Sequence, residues 1–325
     1  MHVGNAEKGR PPVLGPEQVR LMQGLAQEVS ILRPEVLEGG ATVGELAWQF
    51  GKDRAAMGDR WRYRLWPRDD ASGRLDAWAW VSLPFTVRRS DGSAATSHSA
   101  NLTWQVHPDR PELLDEILDW YATEAPGLDR VVTPQDADTE LLSRLAVRGY
   151  TPDTEAGGDD GDWHQFNRRS LADLTQPSLP AGFRFCTAAE VGPAAAAQAH
   201  VDAWHPSTFT ETSMAGVQAM WPYGEDLHVL VEAADGTLVA TAIIWFDPVS
   251  RTAEFEPVGT HRDYRRQGLA TALMWHGMHR ARDAGAETML VACVGAAGNP
   301  AARDLYYGVG FKPFARDVPH IQRSR

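Results

Sequence analysis

Arg265-Arg266-Gln267-Gly268-Leu269-Ala270 sets two cations and a glutamine before a lone glycine, where an apolar helical pattern begins. The first N–H groups of a helix lack intrahelical partners and the helix dipole favours negative charge there, so this turn is suited to holding an anion. Gly268 lets a ligand approach the backbone closely, Ala270 keeps the next position small, and Arg265 and Arg266 add charge-assisted donors. Without an anion, cations at a helix start oppose the dipole. Just upstream, Glu254 and Glu256 stand two apart in the strand-like run TAEFEPVGTH (252–261), which puts both on one face. Such a pair could take a proton from an ammonium, directly or through water. The alternative is two solvated glutamates on a half-exposed strand. His261 is a further candidate base, with a capping role as its alternative.

Other phosphate signatures are missing: there is neither G-x-x-x-x-G-K-[ST] nor a G-x-G-x-x-G after a strand. VGTHRDYRRQGLATAL (258–273) instead resembles motif A of the GNAT N-acetyltransferase superfamily, [QR]-x-x-G-x-[GA]. NPAARDLYYGVGF (299–311) resembles the family's N-x-x-A-x-x-L-Y-x-x-x-G-F, with Asn299, Ala302, Leu305, Tyr306, Gly310 and Phe311 in place. The two motifs keep the family's order around a buried-type strand, TMLVACV (288–294), and the resemblance spans about residues 180–320. In layout the chain is similar to tandem two-domain actinobacterial acetyltransferases such as mycothiol synthase.

The resemblance implies acetyl-CoA as co-substrate. Its pyrophosphate would lie on Arg265, Arg266, Gln267, Gly268, Leu269, Ala270 and Thr271, its pantetheine beside Val258, Gly259 and Thr260, and Asn299 belongs to the same cofactor-binding set. It implies Tyr306 as the general acid for the departing thiolate, with Tyr307 as the alternative. It places the base best at Glu254, with Glu256 as the alternative base or as the residue that binds the amine. The segment 202–223 corresponds to the roof of the acceptor site, which makes Trp204, His205, Phe209, Trp221 and Tyr223 candidate substrate-binding residues, with core packing as their alternative.

The elements that must position these residues are legible in outline. In the second half, GFRFCTAAE (182–190) reads as a strand entering a helix, 226–246 as a hairpin around Asp235-Gly236, and 267–284 as a long helix stopping before Gly285. The first half has helical stretches over 16–32 and 42–52, strands at LDAWAWVSLPFTV and NLTWQVH, a helix over 111–125 with Pro111 at its first position, and WHQFNRRSL as its closing strand. The order repeats, and Asp138 to Tyr150 matches Asn299 to Phe311 in spacing, so a duplication is expected. The expected fold is α/β (α+β). It comprises two tandem acetyltransferase-like domains, each a mixed, mostly antiparallel sheet flanked by helices, with a split between the central strands of the second. The boundaries are a flexible tail over 1–12, a degenerate domain over 13–170, a linker over 171–181 and a catalytic domain over 182–325. The first domain is degenerate because Pro111 and Glu112 occupy its corresponding helix start without a glycine, and Leu145 and Asp138 stand where Tyr306 and Asn299 would.

Composition bounds the function. The 325 residues are 43% hydrophobic and 23% charged, which fits about two globular domains. A formal charge of −12 speaks against nucleic acid or an anionic membrane as partner and suits a small-molecule amine as acceptor. Cys186 and Cys293 give no disulfide framework and fit a reducing cytoplasm; the N-terminus has no apolar signal-like stretch, and no run is long enough to span a bilayer. His276 and His279 lack further ligands, so no metal is expected. The function expected is transfer of acetyl from acetyl-CoA to a primary amine. A non-catalytic acyl-CoA sensor and a protein N-acetyltransferase are the rivals.

Overall fold

The computed structural model describes residues 13–35, 41–153, 163–295 and 300–324; the tail expected over 1–12 and the candidate Asn299 lie outside the described residues. In the first half, α1 (Pro16–Leu32) and α2 (Val43–Met57) precede β1 (Trp61–Pro67), β2 (Leu75–Ser82), the small hairpin β3 (Phe85–Arg88) and β4 (Ala94–Ser97), and β5 (Ala100–Val106). Then come α3 (Leu113–Glu124), β6 (Arg130–Val132), α4 (Thr139–Val147), β7 (Thr151–Pro152) and β8 (His164–Ser170). The second half repeats this order except that it opens with an additional strand and short helix and lacks the small hairpin. It opens with β9 (Phe183–Thr187), α5 (Ala188–Val191), α6 (Pro193–Ala203) and α7 (Glu211–Gln218), followed by β10 (His228–Ala233), β11 (Leu238–Asp247) and β12 (Thr252–Thr260). It closes with α8 (Leu269–Asp283), β13 (Thr288–Val294), α9 (Pro300–Gly308), β14 (Lys312–Arg316) and β15 (His320–Gln322).

Local chemistry accounts for most of these boundaries. Thr210 caps α7 by accepting from Ser213 N, Gly285 at φ 113° stops α8, and Gly236 at φ 88° makes the β10–β11 turn. Pro111 does not start its helix as expected: α3 begins at Leu113 with Glu112 as its N-cap. In the first half three antiparallel strands, β1, β2 and β5, and in the second half four, β9 to β12, lead through a helix to a parallel strand, β5 with β6 and β12 with β13.

The final strand of each half is exchanged. One sheet runs β1-β2-β5-β6-β15-β7 and the other β14-β8-β13-β12-β11-β10-β9. WHQFNRRSL, expected to close the first domain, therefore lies in the second sheet, antiparallel to β13 from His164↔Val294 to Ser170↔Thr288 and to β14 on its other edge. β15 reciprocates between β6 and β7. Asp317 helps join the halves, its carboxylate accepting from His164 N at 2.6 Å. The two sheets are thus not separated at 171–181, because each contains a strand from the other side of that segment. Alternation fixes which face of a strand is buried but leaves its neighbour unspecified.

Cutting the chain within 171–181 removes an interior strand from the second sheet and leaves two unpaired strand edges. The 182–325 fragment alone is expected to lack a cooperative thermal transition by circular dichroism and to regain one when co-expressed with residues 1–170. Cooperative unfolding of the lone fragment would show the exchange to be dispensable.

The faces of the second sheet are covered from different halves. On one, Phe255 packs against Gly277 of α8, where a Cβ would come within 2.7 Å of its ring. On the other lies α2 of the first half: a Cβ at Gly44 would meet Trp245 and Glu254, and one at Gly51 would meet the Val217 backbone of α7. One apolar core joins Trp48 and Phe50 of α2 to Met214, Val217 and Trp245 of the second half. The face carrying Glu254 is therefore roofed by the first half of the chain.

Candidate active site

α8 opens without a side-chain cap. Gly268 stands at its N-cap in the left-handed conformation, φ 79° and ψ 1°. A Cβ there would meet nothing within 4 Å, so conformation rather than space calls for glycine. Residues 265–268 are exposed, and the first turn has no acidic side chain to satisfy its free N–H groups. Arg265 is engaged structurally: Nε donates to Thr260 O at 3.1 Å and Nη2 to Ala203 O at 3.2 Å, tying the turn to β12 and α6. Arg266, at φ 65°, and Gln267 remain exposed. His261 caps the turn before the helix, its Nδ1 accepting from Asp263 N at 3.2 Å.

Beside this turn the sheet opens. β12 pairs with β13 only from Thr252↔Thr288 to Phe255↔Val291, so among the described residues Val258, Gly259 and Thr260 have no strand partner on that side. Against β11 the register passes from Ile244↔Phe255 to Ala242↔Val258, so Glu256 and Pro257 oppose one residue. This β-bulge adjoins the last paired residues of β12 and β13.

Glu254 is 8% exposed and buried against α2. Thr42 Oγ1 donates to its Oε2 while accepting from Glu45 N at 2.9 Å, so the carboxylate rests on the cap of α2. Burial raises its pKa to about 8, with the Thr42 bond opposing the shift. Glu256 is half-buried, and among the described residues its carboxylate accepts no hydrogen bond. Burial raises its pKa as well; Glu45 adds to the shift, then Glu254, while Lys52 and His164 oppose it.

α9 turns its two tyrosines apart. Tyr306 is 6% exposed, packs 6.1 Å from Phe311 and has its phenol pushed above the ordinary value by burial, then by Glu256 and Cys293. Tyr307 is exposed and accepts from Gln165 Nε2 at 2.7 Å.

Of the five roof residues, Trp204 stands at β12: a Cβ on Gly259 would lie 2.3 Å from its ring. It stacks on His200 at 4.3 Å, and Phe209 is buried between His200 and Trp48. Trp221 lies under Arg20, Tyr223 bonds His228 Nδ1 at 3.1 Å, and exposed His205 contacts Ser90 Oγ at 3.3 Å. The structure does not gather these four around the bulge. It brings Thr42, Glu45 and Lys52 of α2, with His164 of β8, toward the glutamates instead. Thr42 and Glu254 are 212 positions apart, and T-x-x-E reads locally as an ordinary helix cap.

Residues 195–311 match the model of the acetyltransferase (GNAT) family. No curated protein sequence matches the chain. Among solved structures, a GCN5-related N-acetyltransferase from Sphaerobacter thermophilus aligns with a TM-score of 0.57 at 19% identity, over 97% of this chain and 95% of that one. A tandem GNAT protein from the clavulanic acid biosynthesis pathway aligns with a TM-score of 0.59 at 14% identity, over 97% and 98%. At these identities the likeness is one of fold. The match to the GNAT-family model thus falls in the second half, and the whole chain has the fold of a tandem GNAT protein. Among the described residues no helix is long and apolar enough to cross a membrane.

Proposed function

We propose that the second half moves the acetyl group of acetyl-CoA to a primary amine of a small molecule, with donor and acceptor bound together. The observation that carries this reading is convergence at one bulge. The uncapped start of α8 and the unpaired end of β12 meet beside Glu256, whose charge reaches the Tyr306 phenol. Acetyl-CoA, when bound, supplies the thioester. The α8 amides with Arg266 hold its pyrophosphate, and the backbone of Val258–Thr260 pairs with pantetheine amides like an added strand. The Glu254–Glu256 pair accepts the ammonium proton, Glu254 at the family's base position and Glu256 nearer Tyr306. The freed amine nitrogen bonds to the acyl carbon as the carbon–sulfur bond breaks, and its remaining extra proton passes to water as the amide forms. Tyr306 gives its proton to the sulfur and regains one from solvent.

The glutamates work as carboxylates, and burial raises their pKa, so activity falls as pH drops. At saturating acetyl-CoA, kcat/KM is expected to rise about tenfold per pH unit and to level off near pH 8, leaving about a hundredth of the plateau at pH 6. Thiol release across a panel of primary amines measures it. A plateau already reached at pH 6 would remove the buried base. Acetyl-CoA binding without turnover on any amine would leave an acyl-CoA-binding protein instead.

A further inference from the structure

The face of β12 that carries Glu254 continues across three more strands. Glu254 pairs with Leu290 of β13, Leu290 with Arg168 of β8, and Arg168 with Lys312 of β14. Directly paired residues share a face, so these four form one row. With neighbouring strands about 4.8 Å apart, the backbones at Glu254 and Arg168 stand about 10 Å from each other. Between this row and the end of α1 are two adjoining spaces. An outer cleft of about 890 Å³ is lined by Arg168, Lys312 and Phe314 of the sheet and by Ile31 and Pro34 opposite. An inner chamber of about 40 Å³ is lined by Glu254, Thr42, Gln105 and Trp245. Ser30, Ser250, Thr252 and Leu290 line both, so the outer cleft leads to the inner chamber.

The two ends differ in chemistry. At the outer end Arg168 Nη1 donates to Pro34 O at 3.3 Å and the guanidinium lies over Phe314. Among the described residues neither Arg168 nor Lys312 meets a carboxylate. Asp173, the acidic residue of that wall, sits with Arg169, whose Nη2 donates to its carbonyl at 2.6 Å. At the inner end Asp247 is satisfied by Gln27 and Ser250, and Glu254 accepts from Thr42. Gln105 is 2% exposed, yet its Oε1 is buried with no hydrogen-bond partner among the described residues. A closed-off acceptor of this kind is costly until a donor reaches it. The inner end thus offers acceptors and calls for a donor, and the outer end offers unpaired cations. The inner chamber has room for a water-sized group or two, which suits a primary ammonium and its methylene and excludes a branched or ring-bearing amine.

The geometry points to this passage as the acceptor site, and to an acceptor that is a slender primary amine with an anionic group such as a carboxylate at its far end. The ammonium lies at Glu254 and Gln105, and the anion at Arg168 and Lys312. The inference rests on the acyl-transfer reading above for the fate of the nitrogen, but not for binding. It also gives the first half a share in recognition, because Gln105 of β5 and the end of α1 wall the passage.

The test uses the full-length protein in the presence of CoA and two probes of equal chain length, 6-aminohexanoate and hexylamine. Isothermal titration is expected to show the amino acid binding about tenfold more tightly, the difference a charge-assisted contact makes. In Lys312→Gln, a surface change, that preference should fall by about threefold, and adding Arg168→Gln should abolish it, while thermal unfolding shows the fold intact. Gln105→Leu should weaken both probes alike, by about three- to tenfold, without lowering the melting temperature; a merely structural glutamine would leave both affinities where they were. Equal affinity for the two probes in the unaltered protein, an undiminished preference in the double variant, or unchanged affinities in Gln105→Leu would overturn the inference. Absence of acetylation with the preference intact would overturn only the acyl-transfer reading.

Discussion

Tyr306→Phe is expected to lower kcat by about a hundred- to ten-thousandfold, the range for losing a positioned general acid, while acetyl-CoA affinity changes by less than about threefold. The phenol is nearly closed off from solvent, and both burial and Glu256 favour its neutral form. A neutral phenol is the form that can donate, so the proton is available throughout the assay range. The same burial makes the phenol a weaker acid than usual, so its transfer to the thiolate is uphill and is completed as the phenolate regains a proton from solvent. Phenylalanine keeps the ring packed on Phe311, so the melting temperature should hold. Tyr307→Phe provides the contrast: that side chain is exposed and bonded to Gln165, and its loss should cost less than about threefold, as for a surface change remote from the chemistry. Single-turnover thiol release separates the chemical step from product release. Should Tyr306→Phe keep more than about a tenth of kcat, the acid lies elsewhere.

The contrast between those tyrosines shows what the sequence carried and what it withheld. Tyr306 and Tyr307 are neighbours, and periodicity could not say which faces inward without knowing where the core lay. The family spacing chose Tyr306, and α9 buries that residue while exposing the other. The Gly268 turn was legible because its features are local: a glycine at positive φ, a helix start and basic residues all lie within six positions. The strand order within each half was legible for the same reason, from hairpin turns and helix caps. What could not be read was contact between distant segments. β8 and β15 carry ordinary strand patterns, and nothing in alternation says that each completes the other half's sheet. The acceptor end suffered in the same way. Trp204 does stand beside β12, but Phe209 lies in the core and Trp221 and Tyr223 pack against it, while Thr42 looks like a helix cap until the fold lays it against Glu254 of β12.

Gly268→Glu is expected to weaken acetyl-CoA binding at least about a hundredfold, and two separable costs lead there. The first is conformational. At φ 79° a side-chain-bearing residue is strained by about 1–2 kcal/mol, so Gly268→Ala, which meets open space, isolates a loss of roughly five- to thirtyfold. The second is charge. A carboxylate at the N-cap stands where the pyrophosphate is proposed to lie, competing for the N–H groups and repelling the ligand. The same carboxylate suits the helix dipole when no ligand is bound, offsetting part of the strain, so the ligand-free variant should melt close to the unaltered protein. Affinity and stability should therefore part: the rise in melting temperature on adding acetyl-CoA disappears while the starting temperature barely moves. A variant that fails by unfolding would lose both together. Titration of the unaltered chain extends the test to the first half. There α3 starts with Asp115 and Glu116 in its first turn, and Leu145 is buried in the core at the position matching Tyr306. One acetyl-CoA per chain is expected; a second, or a Gly268→Glu chain still binding one, would move the donor site away from α8.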